Sequence, residues 1–490
     1  MIPSLSLEIS VLLLGILMLL VESFSKSDDK RGLAKFAILV LTALIGFSFF
    51  VDPASGNSFY AVDATAHFFK VIALLTTVVV LIMSLEYRSV VARYIPGVTP
   101  GAGLGEFYSL PVFTCAGLMF MASAVDFIFI FVSLELVTIS FYVLVAYMRR
   151  QATSLEAGVK YLILGALSTG FLVYGITWIF GLTGETNLAA VGNALHTKQI
   201  AQTPLLFGVM LVLVGLGFKV AAAPFQFWVP DVYQGAPTPI TAFLSVGSKS
   251  AGFVVLLRVM EPFLGLDSIR HKVLGILTIL AVLSLLYGNL TALPQDNLKR
   301  LLAYSSIAHA GYLLVAVASV SAATSTFGSA GVAVAFYLAG YLLMTLLSFL
   351  VMIVVANHSR GDDIVHFNGL ARRSPLLAFG MLVAMLSLAG VPFTAGFFGK
   401  FLVFATAVKA QNFLLVGIGI ITVAAGFYYY LRVIAAMYWQ SPNDSTPITV
   451  SPLTRFAITG LTFLIFFLGI FPQPILHMLQ RDPAPAVAAH

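Results

Sequence analysis

Residues 204–229 read PLLFGVMLVLVGLGFKVAAAPFQFWV. The stretch is longer than the roughly 20 apolar residues a helix needs to cross a bilayer. Well inside it stand one lysine, Lys219, and five residues later a proline, Pro224. A charge near the bilayer centre costs about 2.5–3.5 kcal/mol on insertion scales. Proline removes a helix hydrogen bond and clashes with the preceding turn, and the freed backbone is tolerated at membrane depth only where protein or water satisfies it. The stretch therefore reads as a transmembrane helix broken at Pro224, with a cation kept beside the break for a purpose other than folding. A second stretch, AGVPFTAG over residues 389–396, repeats the small-residue-Pro-Phe pattern around Pro392, 168 residues further on, and Lys400 follows it. Paired interruptions in two halves of a chain point to an internal repeat with ion sites at its interface.

The rest of the chain has the same character. Of its 490 residues 60% are hydrophobic and 9% charged, where a soluble domain carries about 25% charged residues; the mean hydropathy is +1.00. The class is an all-α polytopic membrane protein. Fourteen apolar runs predict fourteen spans, at about 3–23, 33–51, 66–85, 108–124, 126–148, 154–180, 204–229, 239–261, 272–293, 298–320, 327–356, 375–406, 413–439 and 453–479. Only Ala124-Val125-Asp126 separates the fourth from the fifth. The two proline breaks lie five spans apart, an odd number, so the repeats are expected to be inverted. This divides the chain into an N-terminal three-helix segment (1–100), a first five-helix repeat (101–265) broken within 204–229, a second (266–440) broken within 375–406, and a C-terminal helix and tail (441–490).

Lysine and arginine concentrate in the odd-numbered loops, among them Arg88, Arg93, Arg149, Arg150, Lys299, Arg300, Arg372 and Arg373. Those loops are expected on the cytoplasmic side, with both termini on the other side. The net charge of +6 is thus explained by orientation and calls for no nucleic-acid partner. The first run continues without a cleavage site from Ile9 to Val21 and reads as a retained span. The single cysteine, Cys115, excludes a disulfide framework, cysteine-ligated zinc and iron–sulfur clusters in this chain. CxxCH, P-loop and dinucleotide motifs are absent as well. The chain is therefore expected to hold no metal or redox centre.

Isolated charges remain. Glu135 lies about nine residues into its run, roughly 14 Å deep at 1.5 Å per residue. Lys249, in FLSVGSKSAGFVVLL, sits about ten residues past Pro239, roughly 15 Å deep, among glycines and serines that leave room for water or a close helix. Lys160 is only about six residues into its run, within reach of the interface by snorkelling. His309 is flanked by Tyr304, Ser305 and Ser306, a setting that suits proton relay. Against each stands a plain structural reading: a helix-to-helix salt bridge for the lysines, a satisfied core residue for Glu135 and His309. Lys70, Arg258 and Arg432 lie nearer the run ends and read as snorkelling or headgroup contacts.

Two further stretches are specific: FQFWVPDVYQGAPTP at residues 225–239 and LPQDNLKRLLAYSSIAHAGYLL at 293–314. Both resemble subunit N of the proton-pumping NADH:quinone oxidoreductase, respiratory complex I, within an antiporter-like family that also includes multisubunit sodium/proton antiporters. The PDVYQGAPTP wording and the lysine at position 400 resemble subunit N rather than its sister subunits. The resemblance implies proton-transfer roles for Glu135, Lys160, Lys219, Lys249, His309 and Lys400. It implies a subunit of a translocase with no redox chemistry of its own, whose FMN, iron–sulfur clusters and quinone belong to other subunits. The implied partners are the other membrane-arm subunits, one of them an adjacent antiporter-like subunit, with the lipid bilayer and protons. The implied location is a bacterial inner membrane. Two alternatives stay open at this point: a sodium(potassium)/proton antiporter subunit, and a scaffold whose lysines only pair helices.

Overall fold

The computed structural model describes residues 5–25, 29–50, 58–95, 104–320, 328–359, 361–442, 444 and 446–480. Among them no sheet forms; three isolated bridges, Tyr60 with Ala124, Asp126 with Asn187 and Asn297 with Asp363, pair short extended pieces between helices. The first helices are α1 (Ser6–Phe24), α2 (Arg31–Ser48), α3 (Ala64–Tyr94), α4 (Gly105–Ser123), α5 (Phe127–Val145), α6 (Ala152–Thr183) and α7 (Leu188–Thr197). Around the first break lie α8 (Gln202–Val220), α9 (Val229–Gly235), α10 (Thr238–Phe243) and α11 (Lys249–Leu264). Then come α12 (Asp267–Ala292), α13 (Leu298–Val317), α14 (Ser329–Ser359) and α15 (Leu370–Arg373). The second break separates α16 (Pro375–Ala389) from α17 (Ala395–Lys409), and α18 (Phe413–Trp439), α19 (Pro452–Ile470) and α20 (Gln473–Gln480) close the chain.

Twelve helical segments of the described residues are long and apolar enough to cross a membrane, α10 and α11 counting as one through the π-helical turn Leu244–Ser248. Two of the fourteen expected runs fall outside that set. The run at 108–124 is α4, whose Glu106, Ser109, Pro111 and Thr114 dilute its apolar character and which is buried almost throughout. The run at 375–406 is two short helices, α16 and α17. The doubtful boundary near Val125 is sharp, because Asp126 accepts hydrogen bonds from the amides of Ile128 and Phe129 and so caps α5. Asp63 caps α3 and Asn297 caps α13 in the same way. The expected boundary between residues 100 and 101 and the tail after residue 480 lie outside the described residues.

Burial sorts the helices. The spans of α3, α10–α11, α13 and α14 are enclosed by protein, whereas α1, α2, α6, α18 and α19 bury only a stripe. The outer helices turn large apolar side chains outward, among them Leu13, Leu39, Ile163, Ile421 and Phe463, as a lipid-facing shell requires. Polar residues on the enclosed helices therefore meet one another or backbone, and these contacts define the candidate site.

Candidate proton-transfer site

Each broken helix stops because a residue enters the left-handed region: Ala221 at φ 63° after α8 and Gly390 at φ 93° after α16. At the first break the amide of Ala222 returns to the Gly217 carbonyl, and the Trp228 indole donates to the Phe218 carbonyl at 3.1 Å. The amide of Ala223 is taken by Ser284 of α12 at 2.8 Å. Lys219 is free to look elsewhere. It is buried, and its ammonium donates to the Thr138 hydroxyl of α5 at 2.7 Å.

Glu135 precedes Thr138 by three residues on α5. It makes no direct ion pair with Lys219; its carboxylate accepts from Thr169 of α6 at 2.9 Å. A cavity of about 10 Å³ is bordered by Lys219, Thr138 and Leu134 and by Thr169, the residue that holds the Glu135 carboxylate. That is room for about one water. The Lys219 stem also packs against α11: a methyl group built on Gly252 would lie 3.5 Å from its Cγ. Gly252 is one turn along α11 from Lys249.

Lys249 follows the π-helical turn. Its ammonium donates to the carbonyl and the hydroxyl of Ser306 on α13 and lies 5.2 Å above the Tyr341 ring. Ser306 also meets the Tyr233 hydroxyl of α9 at 3.1 Å. His309, one turn along α13, has Tyr337 at 2.6 Å from Nδ1 and Tyr430 at 3.2 Å from Nε2. Tyr430 in turn reaches Ser305. Three residues further, the ring of Tyr312 lies 5.0 Å beneath the Lys400 ammonium. Lys400 donates to the carbonyls of Leu388 and Ala389, at 2.9 and 2.8 Å, and so caps α16. A cation at a helix C-terminus is favourably placed against the helix dipole.

One face of α13 thus carries Ser306, His309 and Tyr312 at spacings of three residues, about 9 Å along the axis. Lys249 contacts one end of that face and Lys400 the other. Lys160 stands apart. Its side chain is 42% exposed and pairs with Glu156 at 2.7 Å and Asp231 of α9 at 2.6 Å. Asp231 also meets Arg300 in the first turn of α13 at 3.0 Å.

Two snorkelling expectations are corrected. Lys70 is buried against Glu8 at 2.9 Å, and Arg258 is buried with its guanidinium donating to both carboxylate oxygens of Asp63 at 2.8 Å. Arg432 is part-buried, its guanidinium on the Gln295 carbonyl and 3.6 Å from Asp296. Glu8 escaped the sequence reading, although a glutamate just ahead of the apolar stretch from Ile9 to Val21 was the signal for it. Lys299, read as a loop charge, is buried and paired with Asp362 at 3.2 Å. Among the described residues no three His, Cys, Asp or Glu side chains gather as metal ligands.

The family model described as "NADH:quinone oxidoreductase/Mrp antiporter, TM" matches residues 124–426. NADH-quinone oxidoreductase subunit N of Desulforamulus reducens is 40% identical over 474 residues, 96% of this chain and 95% of that protein. The chain belongs to the subunit N family. Subunit N of Trichlorobacter lovleyi is likewise 40% identical, over 97% of this chain and 95% of its own length. Among solved structures, a chain of respiratory complex I from Thermus thermophilus with bound aureothin aligns with a TM-score of 0.79 at 32% identity, covering 96% of this chain and 99% of that one. The matched residues 124–426 take in every subunit N candidate from Glu135 to Lys400 and leave Glu8, Tyr60 and Lys70 outside.

Proposed function

We propose that this chain is a proton-translocating membrane-arm subunit of an NADH:quinone oxidoreductase, moving protons along Lys219, Lys249, His309 and Lys400. The observation that carries the reading is the α13 face, with Lys249 bound at Ser306, Lys400 over Tyr312, and His309 between them. Glu135 acts on Lys219 through Thr138 and the one-water cavity. When that influence weakens, Lys219 releases its proton toward Lys249 past Gly252. The proton then follows hydroxyl, imidazole and phenol along α13 to Lys400, and Lys219 reloads. Lys160 sits at the entrance, tied to the second half of the broken helix through Asp231.

Magnitudes agree with this scheme. Moving one proton against about 150 mV costs about 3.5 kcal/mol. Two unit charges 4 Å apart interact by about 4 kcal/mol at an effective dielectric of 20. Making or breaking one such pair is therefore the right size of event to drive a transfer. The electrons flow elsewhere: FMN, iron–sulfur clusters and quinone belong to partner subunits, and an adjacent antiporter-like subunit packs against the exposed apolar flank.

In this reading α4 and the α16–α17 pair are crossings too, which makes fourteen, arranged as two inverted five-helix repeats over 101–265 and 266–440. Odd loops face the cytoplasm and both termini face the periplasm of a bacterial inner membrane. NADH-driven proton uptake by vesicles carrying Lys219→Ala tests the function, with assembly followed in parallel. We expect the assembled complex to lose proton uptake and quinone reduction together. Wild-type pumping would remove Lys219 from the path, and sodium-dependent transport without NADH would favour an antiporter.

A further inference from the structure

The most enclosed ion pair away from the α13 face joins three elements before residue 101. Glu8, in the first turn of α1, is fully buried, and Lys70 of α3 is 3% exposed. The ammonium lies 2.9 Å from Glu8 Oε1. Tyr60 bridges them: Lys70 donates to its hydroxyl at 2.6 Å, and the hydroxyl donates to Glu8 Oε1 at 2.7 Å. Among the described residues Glu8 Oε2 has no hydrogen-bond partner although it is buried, so the carboxyl keeps an unused position for a proton. A purely structural pair has no need of a hydroxyl that accepts from one charged group and donates to the other.

The position of the triad also matters. Asp63 caps α3 and binds Arg258 of α11. Lys70 is seven residues along α3 from Asp63, and Lys249 is nine residues along α11 from Arg258. At 1.5 Å per residue the two lysines lie about 10 and 14 Å from that common ion pair. They occupy similar depths, and α3 packs directly on α10 and α11. The other titratable groups around the triad are His67 on α3 and Cys115 on α4, with the Asp63–Arg258 pair seven residues back along α3 from Lys70.

We propose that Glu8, Tyr60 and Lys70 form a second proton-binding site, distinct from the α13 row, on the side of the molecule where α1 and α3 begin. The inference rests on the proton-transfer reading above. The step balances. An N–H bond of the Lys70 ammonium breaks as the Tyr60 oxygen takes that proton, while Tyr60 passes its own proton to Glu8. The phenol is restored, and the ion pair becomes a neutral amine and a neutral carboxyl. Glu8 then releases its proton toward the near face and Lys70 rebinds one from the interior.

The test uses the whole enzyme in vesicles, with proton uptake measured per NADH oxidised. Tyr60→Phe keeps the ion pair and removes the bridge; the double variant Glu8→Gln with Lys70→Met removes both charges and leaves neither unpaired. We expect both to assemble, Tyr60→Phe with lowered thermal stability because it gives up two buried hydrogen bonds to charged groups. We also expect proton uptake per NADH to fall about twofold or more. Wild-type ratios in Tyr60→Phe overturn the proposal, and this variant decides the matter if the double variant fails to assemble. Lys219→Ala measured alongside separates the two readings: its loss of pumping beside an unaffected Tyr60→Phe would sink the second site and leave the α13 row standing.

Discussion

The break before Pro224 and the break before Pro392 solve one problem with different chemistry. Both end on a left-handed residue, and both leave carbonyls at the end of a short helix. At the first, the Trp228 indole satisfies one of them and Lys219 turns away to Thr138. At the second, Lys400 itself holds the last two carbonyls. With the two prolines in register, Trp228 falls opposite Gly396 and Lys219 opposite Ser387. The second break has no indole because its helices come too close: the Gly396 amide donates to Ser387 Oγ at 3.1 Å. The first break therefore leaves its lysine on a single hydroxyl, as the proposed exchange requires, whereas the second uses its lysine as a cap and, in the proposed path, as the end of the row.

The largest effect that would break this comparison is steric. A methyl group on Gly396 would lie 1.9 Å from the Ser387 carbonyl oxygen, a backbone atom. Overpacking typically costs about 1–3 kcal/mol and more where backbone must move. Gly396→Ala should therefore leave little assembled complex in solubilised membranes; normal assembly would mean the two halves are not held this closely.

Next comes the pair of lysines. Lys400→Met strips the donor from two carbonyls, and a hydrogen bond to a charged group contributes about 1.5–3 kcal/mol. Lys219→Met gives up a single bond to a hydroxyl and removes a buried charge, so its stability cost is small. Thermal inactivation of the two assembled variants should separate them, with Lys400→Met the less stable, while both lose pumping. Equal stability would erase the distinction between a capping and an exchanging lysine. The smallest effect is Trp228→Phe, which removes one neutral hydrogen bond worth about 1 kcal/mol. A modest fall in thermal stability with pumping retained is expected; lost pumping would give the indole a part in proton transfer.

Much of this was legible in the sequence, and for identifiable reasons. Apolar runs give helices in a membrane, and a proline beside a lone lysine gives a break with a cation, because each is costly there. Contacts across the fold were less legible. Nothing in the run around Glu135 says that Thr169 takes its carboxylate and that Thr138 takes Lys219. Depth along one helix misjudged Lys70 and Arg258, because residues near a run end are still enclosed when other helices surround that end. For Lys160 depth served better: about six residues into its run it was expected within reach of the interface, and its side chain is 42% exposed. The α13 face was half visible: the hydroxyls beside His309 stood out, but Tyr312 under Lys400 and Tyr430 on the imidazole come from pairing with distant helices.

The central claim is that α13 carries protons between Lys249 and Lys400. His309 is the group between them, buried and, among the described residues, hydrogen-bonded to two phenol hydroxyls, so replacing it leaves the caps and both lysines in place. The direct measurement is the initial rate of NADH-driven proton uptake by vesicles containing the assembled complex with His309→Phe. The account predicts a fall of about tenfold or more, equivalent to about 1.4 kcal/mol on the limiting step, at unchanged assembly. Uptake at the wild-type rate would contradict it.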